Sequence, residues 1–312
     1  MTRGGAARRS AYPRGGAARR GAYPRGGEAR RSAYSRGRAG RRAARLGAYG
    51  LLVLFGVVSL LPLLWTAVAA SRTTTRLAAT PPPFRFGRNL PRNLEIAWTE
   101  AGLGEALANT ALVAGAVALG TVVCSTLAGF AFAKLRFRFK GPLLLLVAGT
   151  MLIPPQLGVV PLYLLVARLR WTDELQAVIL PSLVSAFGVF FMRQHLRRAL
   201  PSELLEAARV DGAGLGRTLW HVVLPAARPA MAVLAMLSFV AAWNDFFWPV
   251  LALTQTGNPT VQVALTGLGR GHVPDQSVVM AGALLGTLPL LVVLALFGRH
   301  IVGGVMRGAV KG

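Results

Sequence analysis

The sequence predicts an all-α integral membrane protein with six transmembrane helices, preceded by a disordered basic tail. Three observations carry that prediction. Hydrophobic residues make up 54% of the chain and charged residues only 15%, against about 25% charged in soluble domains. Apolar runs approaching the ~20 residues needed to cross the hydrocarbon core recur along the chain. The net charge of +24 is unevenly placed, with 14 of the 35 basic residues in the first 45 positions. Backbone groups in lipid must be satisfied internally, so runs of this length span as helices.

The tail, residues 1–45, is a decaying tandem repeat: "RGGAARRSAYP" from Arg3, "RGGAARRGAYP" from Arg14, "RGGEARRSAYS" from Arg25 and "RGRAGRRAARL" from Arg36. Gly, Arg and Ala dominate it, and Glu28 is its one acid. Such a segment buries too little apolar surface to offset its ordering entropy, which predicts disorder. Arginine interleaved with Tyr12, Tyr23 and Tyr34 suits single-stranded nucleic acid by charge and stacking. The plainer reading is a basic tail held near anionic lipid headgroups. The charged region is too long for a secretory signal.

Spans are expected at about 46–71, 106–133, 141–167, 175–192, 229–253 and 276–298, all within a membrane domain of residues 46–312. The fifth is interrupted only by Asp245. With the tail in the cytoplasm, inside segments hold 27 basic residues and outside segments 8. That bias predicts a multi-pass membrane protein with both termini cytoplasmic. It also puts the long loop 193–228 in the cytosol.

That loop contains "ELLEAARVDGAGLGRTLWHVVLP". Ser202 is placed to cap a helix carrying Glu203 and Glu206 near its positive end. Gly212 follows Asp211 as a residue free to take a left-handed turn. A second helical segment then runs to Pro225, which is expected to end it, and Pro229 opens the next span. Two readings fit. The pair is either an amphipathic connector at the interface, or a docking element whose small face (Ala207, Ala208, Gly212 and Ala213) permits close approach by another protein.

The segment "EAARVDGAGLGRTLWHVVLPAARP" resembles the cytoplasmic signature loop of ATP-binding-cassette importer permeases, with matches at Glu206, Ala207, Ala208, Asp211, Gly212, Ala213, Leu224 and Pro225. "ANTALVAGAV", "AGFAFAKLRFRFKG", "MLIPPQLGVVPLYLL", "LPSLVSAFGVFFMRQHL" and "SFVAAWNDFFWPVL" resemble the carbohydrate branch, in particular its maltose-type second membrane subunit. The likeness runs from about residue 46 to the end; the repetitive tail has no counterpart. It implies a type I ABC importer permease architecture and half of a translocation path for a sugar or oligosaccharide. The implied partners are a homologous second permease, two cytosolic ATP-binding-cassette subunits, an extracytoplasmic sugar-binding protein and membrane lipid. It implies further that the loop is a coupling helix, with Glu206 anchoring the contact, Ala207 allowing approach and Gly212 making the turn.

The chain has no phosphate-binding Gly-rich loop ending in Gly-Lys-Ser/Thr. ATP and magnesium are therefore expected in the partner ATPase, and no cofactor in this chain. His195, His221, His272 and His300 lack metal-site spacing, the lone Cys124 permits no internal disulfide, and no Ser/His/Asp constellation is recognisable, so no enzyme activity is expected. Within the spans, Pro154 and Pro155 break the third helix, as in transporters where broken helices line the solute path, or they merely set packing. Trp243, Asn244, Asp245 and Trp248 form a cluster suited to sugar hydroxyls and C–H faces; equally, it is an interfacial aromatic belt with a paired aspartate. The rival classes are an ion-coupled secondary transporter, which needs an internal repeat and an ion relay, and a membrane anchor for a nucleic-acid- or lipid-binding tail.

Overall fold

The computed structural model describes residues 27–79, 84–254, 257–269 and 275–309, with side chains for residues 46–79, 84–254, 257–269 and 275–298. Helix α1 (Gly27–Ala70) opens the described chain, which divides at Leu61/Pro62 into two compact units. α1 includes residues 27–45, which the sequence assigns to the disordered tail. Ala and Arg are strong helix formers, and a helix nucleated in an apolar span extends into such a sequence at little cost. The first two repeats and part of the third lie outside the described residues. In the first unit, Leu46, Leu51, Leu52, Val53, Leu54 and Phe55 are all exposed along α1.

The second unit begins at Pro62 and is all helical among its described residues. Short α2 (Thr74–Leu77) and α3 (Leu90–Glu100) precede the long α4 (Leu103–Lys134). α4 is apolar almost all round, the pattern of a helix enclosed by others. Its buried positions (Thr110, Val113, Val117, Thr121, Ser125 and Gly129) recur every three to four residues. α5 (Lys140–Thr150) follows, and then a 3-10 turn at Pro155–Gly158 leads into α6 (Val159–Arg168). The two arms bend by 96° at the break. Pro154 and Pro155 supply no N–H to the preceding turn, so the ladder stops there.

α7 (Gln176–Ser182) and α8 (Ala186–Ala199) make one further apolar stretch. The Ser185 side chain restarts the helix by accepting the Gly188 N–H at 3.1 Å. α9 (Ser202–Val210) and α10 (Leu215–Thr218) form the predicted polar pair, and a π turn at Leu219–Val223 joins α10 to α11 (Leu224–Trp243). Short α12 (Phe247–Ala252), α13 (Val261–Leu268) and the long α14 (Gln276–Ala309) complete the order.

Five helices among the described residues are long and apolar enough to cross a membrane, and the bent α5–α6 pair makes six if it is one span. The fifth predicted span is displaced. The continuous helix runs Leu215–Trp243 rather than 229–253, so Pro225 and Pro229 both lie inside it. Pro225 is the second residue of α11, where a missing N–H loses little, whereas Pro229 lies in the helix interior. The π turn ahead of Pro225 widens the coil where its ring would strike the His221 carbonyl.

Packing centres on α4, flanked by α8 and α11. One core joins Phe130, Met192, Leu196, Val223, Ala227 and Leu234 at the end carrying α9 and α10. A second joins Ala70, Ala97, Leu103, Ala106, Val261 and Ala281 at the opposite end, and a third lies between α4, α6, α7 and α12.

Candidate functional site: the signature loop and a polar cavity

α8 ends at Leu200, which is fully buried, and Pro201 turns the chain into α9. The capping expectation fails here: Ser202 is the first helical residue, Pro201 holds the cap position, and no side chain caps the helix. Proline's fixed φ sets the extended geometry, and its missing N–H leaves one fewer orphan donor. Leu205 and Ala208 then face inward, while Glu203, Glu206 and Ala207 face outward. The small face expected from the sequence is thus split. Ala208 belongs to the interior, Ala213 is half-buried, and Ala207 and Gly212 remain exposed.

The end of α9 is a Schellman motif. Ala213 N–H donates to the Ala208 carbonyl at 2.8 Å and Gly212 N–H to the Arg209 carbonyl at 3.0 Å. Gly212 carries the left-handed backbone at φ +73° that this closure needs. Nothing lies within 4 Å of where a Gly212 β-carbon would stand, so conformation rather than crowding makes glycine fit. Asp211, exposed, is the last residue before it.

Beneath the motif, Ala213 lines a cavity of about 240 Å3 with Phe130, Lys134, Leu205, Arg209 and Leu215. The buried Thr218 hydroxyl donates back to the Gly214 carbonyl at 3.1 Å, closing the first turn of α10. Leu224 is half-buried and Pro225 exposed. The His195 Nε2 to Ala226 carbonyl contact of 3.1 Å ties α8 to α11 beside them. His221, on the π turn, lies 3.1 Å from the Arg217 carbonyl through Nδ1. The loop therefore stands on a fixed base. Its outer surface carries Glu203, Glu206 and Asp211 among exposed Leu204, Val210, Leu215 and Trp220. Carboxylates within an apolar rim make a surface suited to a protein groove.

A second candidate site lies in the helix bundle. A cavity of about 610 Å3 is lined by Thr121, Gln156, Ser182, Ser185, Ser238 and Asp245, with Val113, Val117, Pro155, Pro181 and Trp248 among its apolar walls. The structure brings three sequence candidates together here: Pro155, Asp245 and Trp248. Asp245 lies just past the end of α11 rather than inside a helix, and it accepts the backbone N–H groups of Phe247 and Trp248 at the head of α12. Trp248 is 7% exposed and its indole donates to the Ala177 carbonyl at 2.9 Å.

Pro154, Trp243 and Asn244 are not in this lining. Trp243 is buried, donating to the Gly286 carbonyl at 3.1 Å and stacking on Phe239 at 5.5 Å. Asn244 is exposed and donates to the Val240 carbonyl one turn back at 2.8 Å. Sequence reasoning missed Thr121, Gln156, Ser182, Ser185 and Ser238. Each is a polar residue in an apolar run, a signal that the buried Ser125 and Thr126 share without lining the cavity. Hydroxyl, amide and carboxylate groups beside an indole offer donors, acceptors and a flat apolar face. That combination suits a hydroxyl-rich solute.

Comparison with known proteins agrees with this architecture. The family model described as "Binding-protein-dependent transport system inner membrane component" matches residues 122–307. The lactose transport system permease protein LacG of Rhizobium radiobacter is 27% identical, over 84% of this chain and 95% of its own. The sn-glycerol-3-phosphate transport system permease protein UgpE of Yersinia enterocolitica is 30% identical, over 82% and 94%. A putative ABC transporter permease of Streptomyces antibioticus is 38% identical, over 70% and 96%. Among solved structures, a chain of a bacterial ABC transporter involved in the import of the acidic polysaccharide alginate superposes with a TM-score of 0.70 at 20% identity, covering 83% of this chain and 96% of that one. The last shows the fold. With the family match and the relatives, it makes this chain a membrane-spanning permease subunit of the binding-protein-dependent ABC importer family.

Proposed function

We propose that this chain forms one half of the translocation path of an ATP-driven importer for sugars or closely related polyols, and that the loop 203–225 receives the stroke of a cytosolic ATPase. One observation carries the coupling reading: α9 is locked onto the core by Leu205, Ala208 and the Schellman closure at Gly212, while Glu206 and Ala207 face outward. A connector that merely floats at an interface has no need of so fixed a base. The partners are a homologous second permease, two ATP-binding-cassette subunits and an extracytoplasmic binding protein. ATP and magnesium belong to the ATPases. The chain sits in the bacterial inner membrane with the loop and both termini cytoplasmic, as the distribution of basic residues argues.

The polar cavity supports the substrate class. Its groups hydrogen-bond hydroxyls, and Trp248 offers a partly apolar wall. Relatives named for lactose, sn-glycerol-3-phosphate and arabinooligosaccharides transport hydroxyl-rich solutes. The test is reconstitution with the companion subunits and binding protein in vesicles, followed by uptake from a panel of labelled sugars and polyols. ATP-dependent accumulation of at least one is expected. Accumulation driven by an ion gradient in the absence of ATP would overturn the reading.

A further inference from the structure

Four cations converge where α4 ends, α5 begins and α8 leaves the bundle. The charged groups acting on Lys140 are Arg193, Arg197 and Lys134, all of its own sign, and Arg197 acts in turn on Arg193. Their positions are fixed by packing. Gly129 lies so close to α8 that a β-carbon on it would stand 2.9 Å from the Arg193 backbone nitrogen. Lys140 Nζ donates to the Leu135 carbonyl across the turn at 2.9 Å.

Arg193 is half-buried. One guanidinium nitrogen reaches the Gln194 side-chain oxygen at 3.4 Å, and Nε is buried without an acceptor among the described residues. A buried unpaired donor on a charged group is costly, and three further cations clustered beside it add repulsion. An anion at this place relieves both costs.

The surroundings select the kind of anion. Phe137, Phe139 and Leu143 are exposed beside the cluster, and Leu145 and Leu146 of α5 carry the exposed apolar surface further along the same helix. A ligand matching both has an anionic head joined to acyl chains. Arginine and lysine together suit phosphate, the one by its fork of donors and the other as a point charge. Basic pockets between membrane helices bind such headgroups.

We propose that Lys134, Lys140, Arg193 and Arg197 hold the phosphate of an anionic phospholipid at the junction of α4, α5 and α8. The assignment is independent of the transported solute and of the loop's coupling role. It gives the protein a preference for anionic lipid at one place, rather than a general attraction along a basic surface.

The experiment is native mass spectrometry of the full-length chain with whatever subunits co-extract, after exposure to phosphatidylglycerol or phosphatidylethanolamine. Wild type should retain phosphatidylglycerol preferentially. The pair Lys140→Gln with Arg193→Gln should weaken retention about fivefold for each cation removed. Arg193→Lys should keep most of it. Arg168→Gln with Arg170→Gln, at the separate C-terminal end of α6, should leave it unchanged. Equal retention by wild type and the Lys140/Arg193 pair would overturn the site, as would equal loss in the control pair. Displacement of the lipid by millimolar inorganic phosphate would assign the cluster to a free anion and overturn the lipid reading. Loss of a co-extracted subunit with lipid retention unchanged would assign it to a protein contact and overturn the lipid reading equally.

Discussion

Gly129 of α4 and Met192 of α8 touch so closely that a β-carbon on the glycine would stand 2.7 Å from that of the methionine. Small residues let membrane helices approach in this way. Gly129→Leu should therefore force α4 and α8 apart, costing about 1–3 kcal/mol as overpacking does. Gly115, which has nothing within 4 Å of its added β-carbon, should accept leucine with little effect. Thermal unfolding of the detergent-solubilised protein reads the difference, and equal stability of the two variants would refute the close crossing.

The coupling reading turns on Gly212 and Glu206. Gly212→Val places a β-branched residue at φ +73°, a conformation such residues avoid. It should loosen the Schellman closure without affecting membrane insertion. Glu206→Lys reverses an exposed charge. Both variants should reach the membrane at near-normal levels, yet lose ATPase subunit on extraction or hydrolyse ATP without uptake. Normal retention and coupling in both would sink the idea.

Asp275 caps α14. Its carboxylate accepts the N–H groups of Ser277 at 3.0 Å and Val278 at 3.3 Å, and also the Thr74 hydroxyl. Burial alone would raise its pKa, but these hydrogen bonds outweigh burial and hold it below the ordinary carboxylate value. A depressed folded pKa stabilises above the unfolded value, so the contribution is complete above about pH 5 and vanishes as pH falls through the depressed value. Asp275→Ala should cost about 1 kcal/mol at neutral pH, as lost caps do. Asp275→Asn should keep most of the cap and flatten the acid limb of the stability profile. Identical acid limbs in wild type and the asparagine variant would show that Asp275 does not titrate in this way.

The cavity reading separates lining from packing. Gln156→Leu and Ser238→Ala remove polar groups from the cavity wall and should raise KM or lower the rate of uptake in a correctly assembled protein. Trp243→Phe removes the indole N–H that reaches the Gly286 carbonyl and the buried ring volume with it. It should cost about 1–3 kcal/mol of stability while leaving the pattern of transported solutes unchanged. A shift in solute preference from Trp243→Phe, with none from Gln156→Leu or Ser238→Ala, would reverse the assignment.

Topology follows from charge. Reporter fusions at Arg88 and Gly257 should score outside, and fusions at Lys140 and Gly214 inside. A cytoplasmic score at Gly257 with an outside score at Gly214 would invert the orientation.

Hydropathy made the apolar stretches legible, and Pro154-Pro155 made the break between α5 and α6 legible, because both depend on local chemistry alone. Helix ends were harder. Pro225 reads as a stop, yet the chain coils on through it because the preceding turn widens. Ser202 reads as a cap, yet Pro201 takes that place. The Gly212 turn was legible because glycine has an intrinsic reason to sit at positive φ. Which alanine faces inward was not, since Ala207 and Ala208 are chemically identical and only the packing of the rest of the chain around Ala208 distinguishes them. The same limit hid Thr121, Gln156 and Ser238 while promoting Trp243, whose indole is engaged with a backbone carbonyl.

The wide turn at Leu219–Val223 has a kinematic meaning. It stores one surplus residue in an otherwise continuous helix, equivalent to about 100° of rotation and 1.5 Å of rise. Just beyond it, the Ala226 carbonyl lies 3.1 Å from His195 Nε2 of α8. The surplus is therefore taken up where the helix rising from the loop is pinned to the bundle, and any turning of the loop relative to the span would have to pass through that pinned section.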